Sequence, residues 1–284
     1  MQELVRLSEH ILFLPPDHET DRPLLAAIVG AEKTLLVDAG NSSRHAGLFL
    51  NQLKSLNLQG HWLVITHHHW DHVFGLSEFN MPIISHHNTR DKIKELQTLS
   101  WTDDALEQRV KEKTQTSFSA ENIKKALGTK RNITIPLPDI TYAEKLMVDL
   151  GEVSCLIEHV GGDHAYDSSI VYIPEEKVLF LGDSMYANTM NWSYTTEKTL
   201  KLIQKLEQYD AEFCFLSHQE IPLTKAEYRH ELALLKNVAI LTEELKGDQT
   251  AISKELANRF QRSLSEDEIE TIGFFLNGFH SENF

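Results

Sequence analysis

The stretch VITHHHWDHVFG, Val64 to Gly75, decides how this chain is read. A nearly continuous apolar run, HWLVIT (His61 to Thr66), has the composition of a strand buried on both faces. Directly after it come His67, His69, Asp71 and His72. In extended backbone alternate residues point the same way, so His67 and His69 can pinch one ion. Asp71 and His72 fall where the chain turns into a helix and can face a second ion beside the first. Imidazole nitrogen and carboxylate oxygen suit zinc or another borderline divalent cation. A polar surface loop can also be histidine-rich, but four such positions straight after a buried strand favour a metal site.

Working outward, HILFL, LLAAIVG and TLLVDAG before the motif read as strands separated by Gly, Pro and Asp turn residues. Between them and the motif, Leu48, Leu50, Leu53 and Leu56 recur at helical spacing from Ser43 to Leu56. MPIIS follows as a short strand. Residues 88–130 are charged and helical in composition, without a strand, and read as a helical insertion. Asp103 and Ser119 are N-cap candidates there, and Gly128 is a helix stop. Strands resume with LMVDLG, VSCLIEHV, SSIVYI and KVLFLGD. After Pro222 the pattern is helical to Phe284, with Leu232, Leu235, Val238 and Leu241 on one face. Alternating strands and helices predict a layered α/β fold.

Composition narrows the partners. The chain has 284 residues, 27 Lys and Arg against 42 Asp and Glu, and a formal charge of −15. A nucleic-acid partner needs a basic face, so none is expected. The pairs Lys124-Lys125 and Lys130-Arg131 read as solvated helix ends. Cys155 and Cys214, the only two cysteines, sit in apolar runs and read as buried thiols rather than a disulfide framework. No apolar run reaches the ~20 residues of a membrane helix, and the N-terminus lacks a cationic start. The expected compartment is the cytoplasm.

The VITHHHWDHVFG string resembles the HxHxDH motif of the metallo-β-lactamase fold superfamily, and that family's other landmarks follow in order. Asp38 closes TLLVDAG, His164 lies in HVGGDHAYDSS, Asp183 ends VLFLGD and His218 lies in CFLSHQE. The resemblance covers about residues 8–220 in pieces. It implies an αβ/βα sandwich of two mixed sheets flanked by helices, forming residues 1–221, with the 88–130 insertion as a lid. Residues 222–284 would be a C-terminal helical extension. It also implies two divalent ions, zinc first with iron or manganese as alternatives. His67, His69 and His164 would hold one ion and Asp71, His72 and His218 the other, with Asp183 bridging. Asp38 would orient the motif loop from behind. The sequence departs from the family pattern at Ser217, at Gly162-Asp163 and at Asp167, all beside ligands rather than at them.

The same resemblance implies a metal-dependent hydrolase in which a bridging hydroxide attacks the carbonyl of a lactone, ester or thioester. Asp71 would pass a proton to the leaving group. His69, where redox di-iron relatives resemble one another in carrying glutamate, argues against redox chemistry. Asp183 looks like the bridging carboxylate of lactonases and glyoxalase II rather than of true β-lactamases. Tyr186, three residues after Asp183, matches a lactonase tyrosine that holds a substrate carbonyl, or it is an aromatic packing residue. Phosphodiester or nuclease chemistry on the same fold, and a metal-binding regulatory protein without turnover, are the alternatives.

The substrate is expected to be a small molecule. Trp101, Phe118, Trp192, Tyr194, Phe274, Phe275 and Phe279 are candidates for an apolar wall or for core, and GFFLNGF for a homodimer face. His68 should face away from the metals. His86 and His87 are placed in the cleft or in solvent, and His159 as a structural hydrogen-bonder. His10, His18, His45, His61, His230 and His280 have no partner pattern.

Overall fold

The computed structural model describes residues 2–282. Its first half builds strands β1 (Val5–Arg6), β2 (Ile11–Leu14), β3 (Leu25–Val29) and β4 (Thr34–Val37), then helix α1 (Ser43–Ser55). Strand β5 (Trp62–Ile65), helix α2 (Trp70–Val73) and strand β6 (Ile83–His86) follow. Helices α3 (His87–Gln97), α4 (Asp103–Lys111) and α5 (Ser117–Leu127) precede β7 (Ile140–Tyr142). These seven strands form one sheet in sequential order, antiparallel from β1 to β4 and parallel from β4 to β7.

The second sheet comprises β8 (Lys145–Asp149), β9 (Ser154–His159), β10 (Ser169–Ile173), β11 (Val178–Gly182), β12 (Phe213–Leu216) and β13 (Leu223–Thr224), with α6 (Thr196–Leu206) connecting β11 to β12. Its order is β13-β12-β11-β10-β9-β8, and only β11 and β12 run parallel. Helices α7 (Lys225–Glu244), α8 (Gln249–Phe260) and α9 (Glu266–Glu282) complete the described chain.

The layers follow from which faces are apolar. Phe13, Val37 and Val64 of the first sheet meet Ile157, Phe180 and Phe215 of the second in a core between the sheets. The opposite face of the first sheet packs on α1, α2 and the inserted helices through Phe49, Phe74, Leu106 and Ile123. The opposite face of the second sheet packs on α6 and the tail through Leu202, Leu235, Val238 and Phe275. Strands β3, β4, β5 and β11 are therefore covered on both faces, which is why they are continuous apolar runs. This is the expected αβ/βα sandwich with a helical insertion and a helical tail. The four apolar tail residues on one face are all buried.

Several local expectations are corrected. Thr102, not Asp103, caps α4, and Thr116, not Ser119, caps α5; each threonine hydroxyl accepts the backbone N–H three residues on. Both helices begin earlier than the charge pattern suggests, leaving Asp103 in the first turn of α4 and Ser119 as the residue whose N–H is capped. Helix α1 buries Ala46, Phe49 and Leu53, whereas Leu56 is exposed; the leucine pattern mixes its two faces. Arg131 is no solvated helix end. Its guanidinium is buried, donating to the Trp101 carbonyl at 2.8 Å and pairing with Asp103 at 2.7 Å. Gly128 does end α5, and both cysteines are buried, unbridged thiols.

Candidate metal centre

The parallel strands deliver the site. Asp38 follows β4, Thr66 and His67 follow β5, Asp183 follows β11 and His218 follows β12. Chain ends of neighbouring parallel strands lie side by side, so residues far apart in sequence converge at one edge of the sandwich. His164 arrives from the loop between β9 and β10. At the β11 end, Gly182 has φ +55°, and a Cβ there would lie 3.0 Å from the Thr66 side chain. Glycine both allows the turn and lets Asp183 approach the motif.

Two groups result, each with its ligand atoms mutually within 4.8 Å: His67, His69, His164 and Asp183, and Asp71, His72, His218 and Asp183. Asp183 belongs to both. Its Oδ2 lies 3.1 Å from His164 Nε2, and 3.5 Å from the Nε2 atoms of His72 and His218. Asp71 Oδ2 lies 3.1 Å from His72 Nε2 and 3.2 Å from His218 Nε2. The structure thus brings together all seven residues singled out as ligands in the sequence.

The rings are held from behind. Asp38 accepts from the Thr66 backbone N–H and hydroxyl, each at 2.8 Å, and its Oδ2 accepts from His72 Nδ1 at 2.8 Å. Because the Thr66 hydroxyl hydrogen is used on Asp38, its lone pair takes the His67 Nδ1 proton at 3.2 Å. His164 Nδ1 donates to the Ala187 carbonyl at 3.1 Å. These contacts occupy Nδ1 and leave each Nε2 aimed inward. Accordingly, Nε2 of His67, His72 and His164 and Oδ1 of Asp183 are buried without a hydrogen-bond partner. Orphaned buried nitrogen and oxygen atoms on four converging groups are what a bound cation would satisfy, so the donor set fits divalent metal.

Electrostatics divide the two groups. Burial alone would lower His72 and His218, but Asp71, Asp38 and Asp183 raise His72 well above the ordinary value. Asp183 with Asp71 raises His218 to about 10, so each of these two rings holds a proton that a bound cation would displace. Burial, with neighbouring imidazoles adding to it, holds His67 and His69 well below the ordinary histidine value, leaving them neutral. Burial alone would raise Asp183, but His218, His72 and His164 outweigh it and keep the carboxyl ionised.

Above these groups lies a cavity of about 610 Å³. Its floor includes Asp71, His164, Asp183 and His218; its walls include Trp101 and Phe118 from the insertion, Trp192 and Tyr194 from the loop after Asp183, and Phe274 from α9. Tyr186 also lines it, with ring centroids 6.1 Å from His164 and 6.2 Å from His218. Burial and then Asp183 push its phenol up, so it stays protonated as a donor.

Not every histidine goes where the sequence suggests. His68 does turn aside as expected, to Asp167, with Nδ1 at 2.8 Å from the carboxylate. His87 is exposed, as one of its two expected placements had it, whereas His86 is in neither cavity nor solvent. It is buried at the start of α3, stacked on His159 at 3.8 Å, and His159 bonds the Tyr166 carbonyl as the expected structural residue. His18, without a partner pattern in the sequence, lines the cavity. Asp21 also lines it, with Oδ1 3.6 Å from His218 Nδ1. Asp21 and Asp38, both beside the centre, have φ near +60°. Aspartate tolerates that left-handed region better than most side chains. No sequence spacing points to Asp21, although Asp-Arg-Pro is a turn-like string. Phe275 is in the core and Phe274 lines the cavity, so these two rings of GFFLNGF are used within the chain.

Among the described residues no helix is long and apolar enough to cross a membrane. The family model described as metallo-beta-lactamase superfamily matches residues 24–218. No curated protein matches the sequence. Among solved structures, a metallo-beta-lactamase from Pontibacter korlensis is 20% identical with a TM-score of 0.60, covering 84% of this chain and 100% of its own. DIM-1 metallo-beta-lactamase is 15% identical with a TM-score of 0.59, over 83% of this chain and 97% of its own. The stereoselective inverting sec-alkylsulfatase Pisa1 from Pseudomonas sp. is 15% identical with a TM-score of 0.65, over 98% of this chain and 49% of its own. At such identities the likeness is one of fold, whereas the family model spans most of the chain and includes every residue of the two clusters. The chain belongs to the metallo-beta-lactamase superfamily and is a metal-dependent hydrolase.

Proposed function

We propose that this enzyme is dinuclear and hydrolyses the carbonyl group of a lactone, ester or thioester. The observation that carries the reading is the sharing of Asp183 by two ligand groups at the floor of an apolar-walled cavity. His67, His69, His164 and Asp183 would hold one divalent ion, and Asp71, His72, His218 and Asp183 the other. Zinc fits these nitrogen and oxygen donors, with iron and manganese as the alternatives. Ions bound there would lower the pKa of a water towards neutrality and polarise the carbonyl.

The chain's own groups do the rest. Asp38 holds His72, and through Thr66 it holds His67, so that their Nε2 atoms stay aimed at the centre. Asp21, 3.6 Å from His218 Nδ1, would orient that ring electrostatically. The Tyr186 hydroxyl would donate to the substrate carbonyl oxygen as negative charge develops there. Asp71, on the cavity floor, would carry a proton to the leaving heteroatom. The apolar walls exclude water and favour a neutral acyl compound over a polyanion. We read residues 1–221 as the catalytic unit, the 88–130 insertion as its lid and residues 222–284 as an extension that backs the cavity, in a cytoplasmic enzyme.

Turnover of a lactone, ester, thioester and bis(p-nitrophenyl) phosphate at equal concentration and varied salt tests this. Carbonyl compounds should be preferred. Dominant phosphodiester turnover, with RNA bound at physiological salt, would overturn it.

A further inference from the structure

The cavity wall carries more exposed apolar side chain than a small polar substrate requires. Phe118 is 57% exposed and Trp192 51%, and Leu99 and Met190 beside them are also exposed, yet all four line the same cavity as the metal-site residues. These exposed apolar side chains are therefore continuous with the reactive floor. Isolated exposed apolar residues are ordinary; a contiguous set rimming a cavity marks a binding surface.

This rim is built rather than incidental. Trp192 has φ +51°, a region that a bulky side chain rarely occupies. It is held there by contacts: Asn277 of α9 donates to its carbonyl at 2.9 Å, and its ring stacks on Phe274 at 5.8 Å. The loop is closed by backbone pairing of Asn188 with Ser193. Gly278 lets α9 come close enough, since a Cβ there would lie 1.9 Å from the Tyr194 carbonyl oxygen. The tail thus fixes a strained indole in the cavity wall. Such strain persists only where the surroundings over-determine it, and it concentrates at ligand clamps.

Charge narrows the ligand further. Among the described residues lining the cavity, Arg109 is the only lysine or arginine. Its guanidinium is already engaged: Nε donates to Gln115 at 2.8 Å, Nη1 donates to the Ser100 carbonyl at 2.7 Å, and its face lies 4.8 Å from the Trp101 ring centre. Nη2 is buried without a hydrogen-bond partner. The wall thus presents one guanidinium, hydrogen-bonded and stacked on Trp101, against the carboxylates of Asp21, Asp71 and Asp183, a balance that disfavours an anionic tail.

We infer that the apolar wall to which Phe118 and Trp192 contribute binds an uncharged alkyl or acyl chain, making the substrate an amphiphile whose reactive end lies at Asp71 and His218. This rests on the carbonyl-hydrolase reading for the identity of the reactive end, but chain binding can be measured without turnover. Methyl ketones of increasing length, from butyl to decyl, carry the carbonyl and chain but no leaving group. Calorimetry on the metal-loaded protein should show Kd falling about fourfold per added methylene, the equivalent of ~0.8 kcal/mol of apolar burial. Phe118→Ala and Trp192→Ala should each flatten that dependence over the longer ketones, with thermal melts reporting that both variants are folded.

A Kd independent of length, in a protein that still hydrolyses carbonyl substrates, would overturn the chain site and leave the hydrolase reading standing. A steep length dependence without turnover of any carbonyl substrate would keep the chain site and remove the carbonyl reading. Sedimentation covers the remaining occupant. A dimer that Phe118→Ala dissociates, together with flat ketone binding, would assign the rim to a second copy of the chain and overturn the proposal.

Discussion

Removing one carboxylate should disarm both clusters at once, because Asp183 is the residue they share. Asp183→Ala is expected to lower the content of both ions from close to two per chain, read by mass spectrometry, whereas His218→Ala should empty mainly the second site. Full retention in Asp183→Ala would rule out the bridge. Asp21 tests how a ligand is aimed. Its carboxylate lies 3.6 Å from His218 Nδ1, a longer counterpart of the 2.8 Å hydrogen bond that Asp38 accepts from His72 Nδ1. Loss of such a partner typically costs 10–100-fold in metal affinity. Asp21→Asn should therefore release its second ion to a chelator at about 10–100-fold lower concentration, with the first ion unaffected; equal retention of both would make Asp21 a cavity wall only. The two aspartates also show what the sequence reveals about a site. Candidate ligands packed into His67–His72 announce themselves by spacing, and Asp38, His164, Asp183 and His218 by motif. Asp21 has neither, since only the turn that gives it positive φ brings it to His218.

Elements differ in how far each holds the cavity. Trp101 is half-buried, edge-on to Phe74 at 4.7 Å, and lines the cavity as well, so it serves packing and wall together. Phe118 has little to pack on. Trp101→Ala should cost roughly half of the ~3–5 kcal/mol typical of a core aromatic, and Phe118→Ala within ~0.5 kcal/mol. Both should raise KM while metal content holds. A large drop in melting temperature for Phe118→Ala with unchanged KM would remove it from the wall.

The start of α3 has its own pH sensitivity. His86 Nε2 donates to the Ala143 carbonyl at 2.8 Å, and Nδ1 accepts the Asn88 N–H at 3.3 Å, so protonation destroys the cap. Burial, followed by the facing His159, lowers it from 6.5 to about 4. Its contribution is complete above pH 6.5 and is lost as pH falls from 6.5 towards 4, where the unfolded chain takes up the proton first. His86→Asn keeps a capping oxygen without the titration, and its denaturation midpoint should fall less over that interval; parallel curves for the two proteins would contradict this. Such a role was invisible in the string MPIISHH, because the cap depends on a turn, and the stack on a strand remote in sequence. The long strands were legible because burial on both faces leaves no polar alternation to confuse them. Strands β1, β7 and β13 were not, since two or three residues carry no period and form only where a neighbour offers an edge.

For the molecule as a whole, the question is whether the helical tail is an appendage or part of the fold. Its helices were legible from the spacing of Leu232, Leu235, Val238 and Leu241, but spacing could not say what they cover. They cover the second sheet: these residues and Phe275 share one core with Ile170, Leu179 and Leu181 of β10 and β11. Burial of a large apolar side chain contributes ~1.5–3 kcal/mol. Five of them rival the ~5–15 kcal/mol by which an entire domain is stable. A chain ending at residue 221 would also expose the outer face of the strand that carries Asp183, and would lose the α9 contacts that hold Trp192. We therefore expect that truncation to give insoluble or molten protein without bound metal, not a smaller hydrolase with an open cavity. Circular dichroism and metal content of the truncated chain decide the matter. A cooperatively melting, metal-loaded 1–221 fragment would mean that the core under the second sheet closes without the tail, and the tail would then serve the cavity alone.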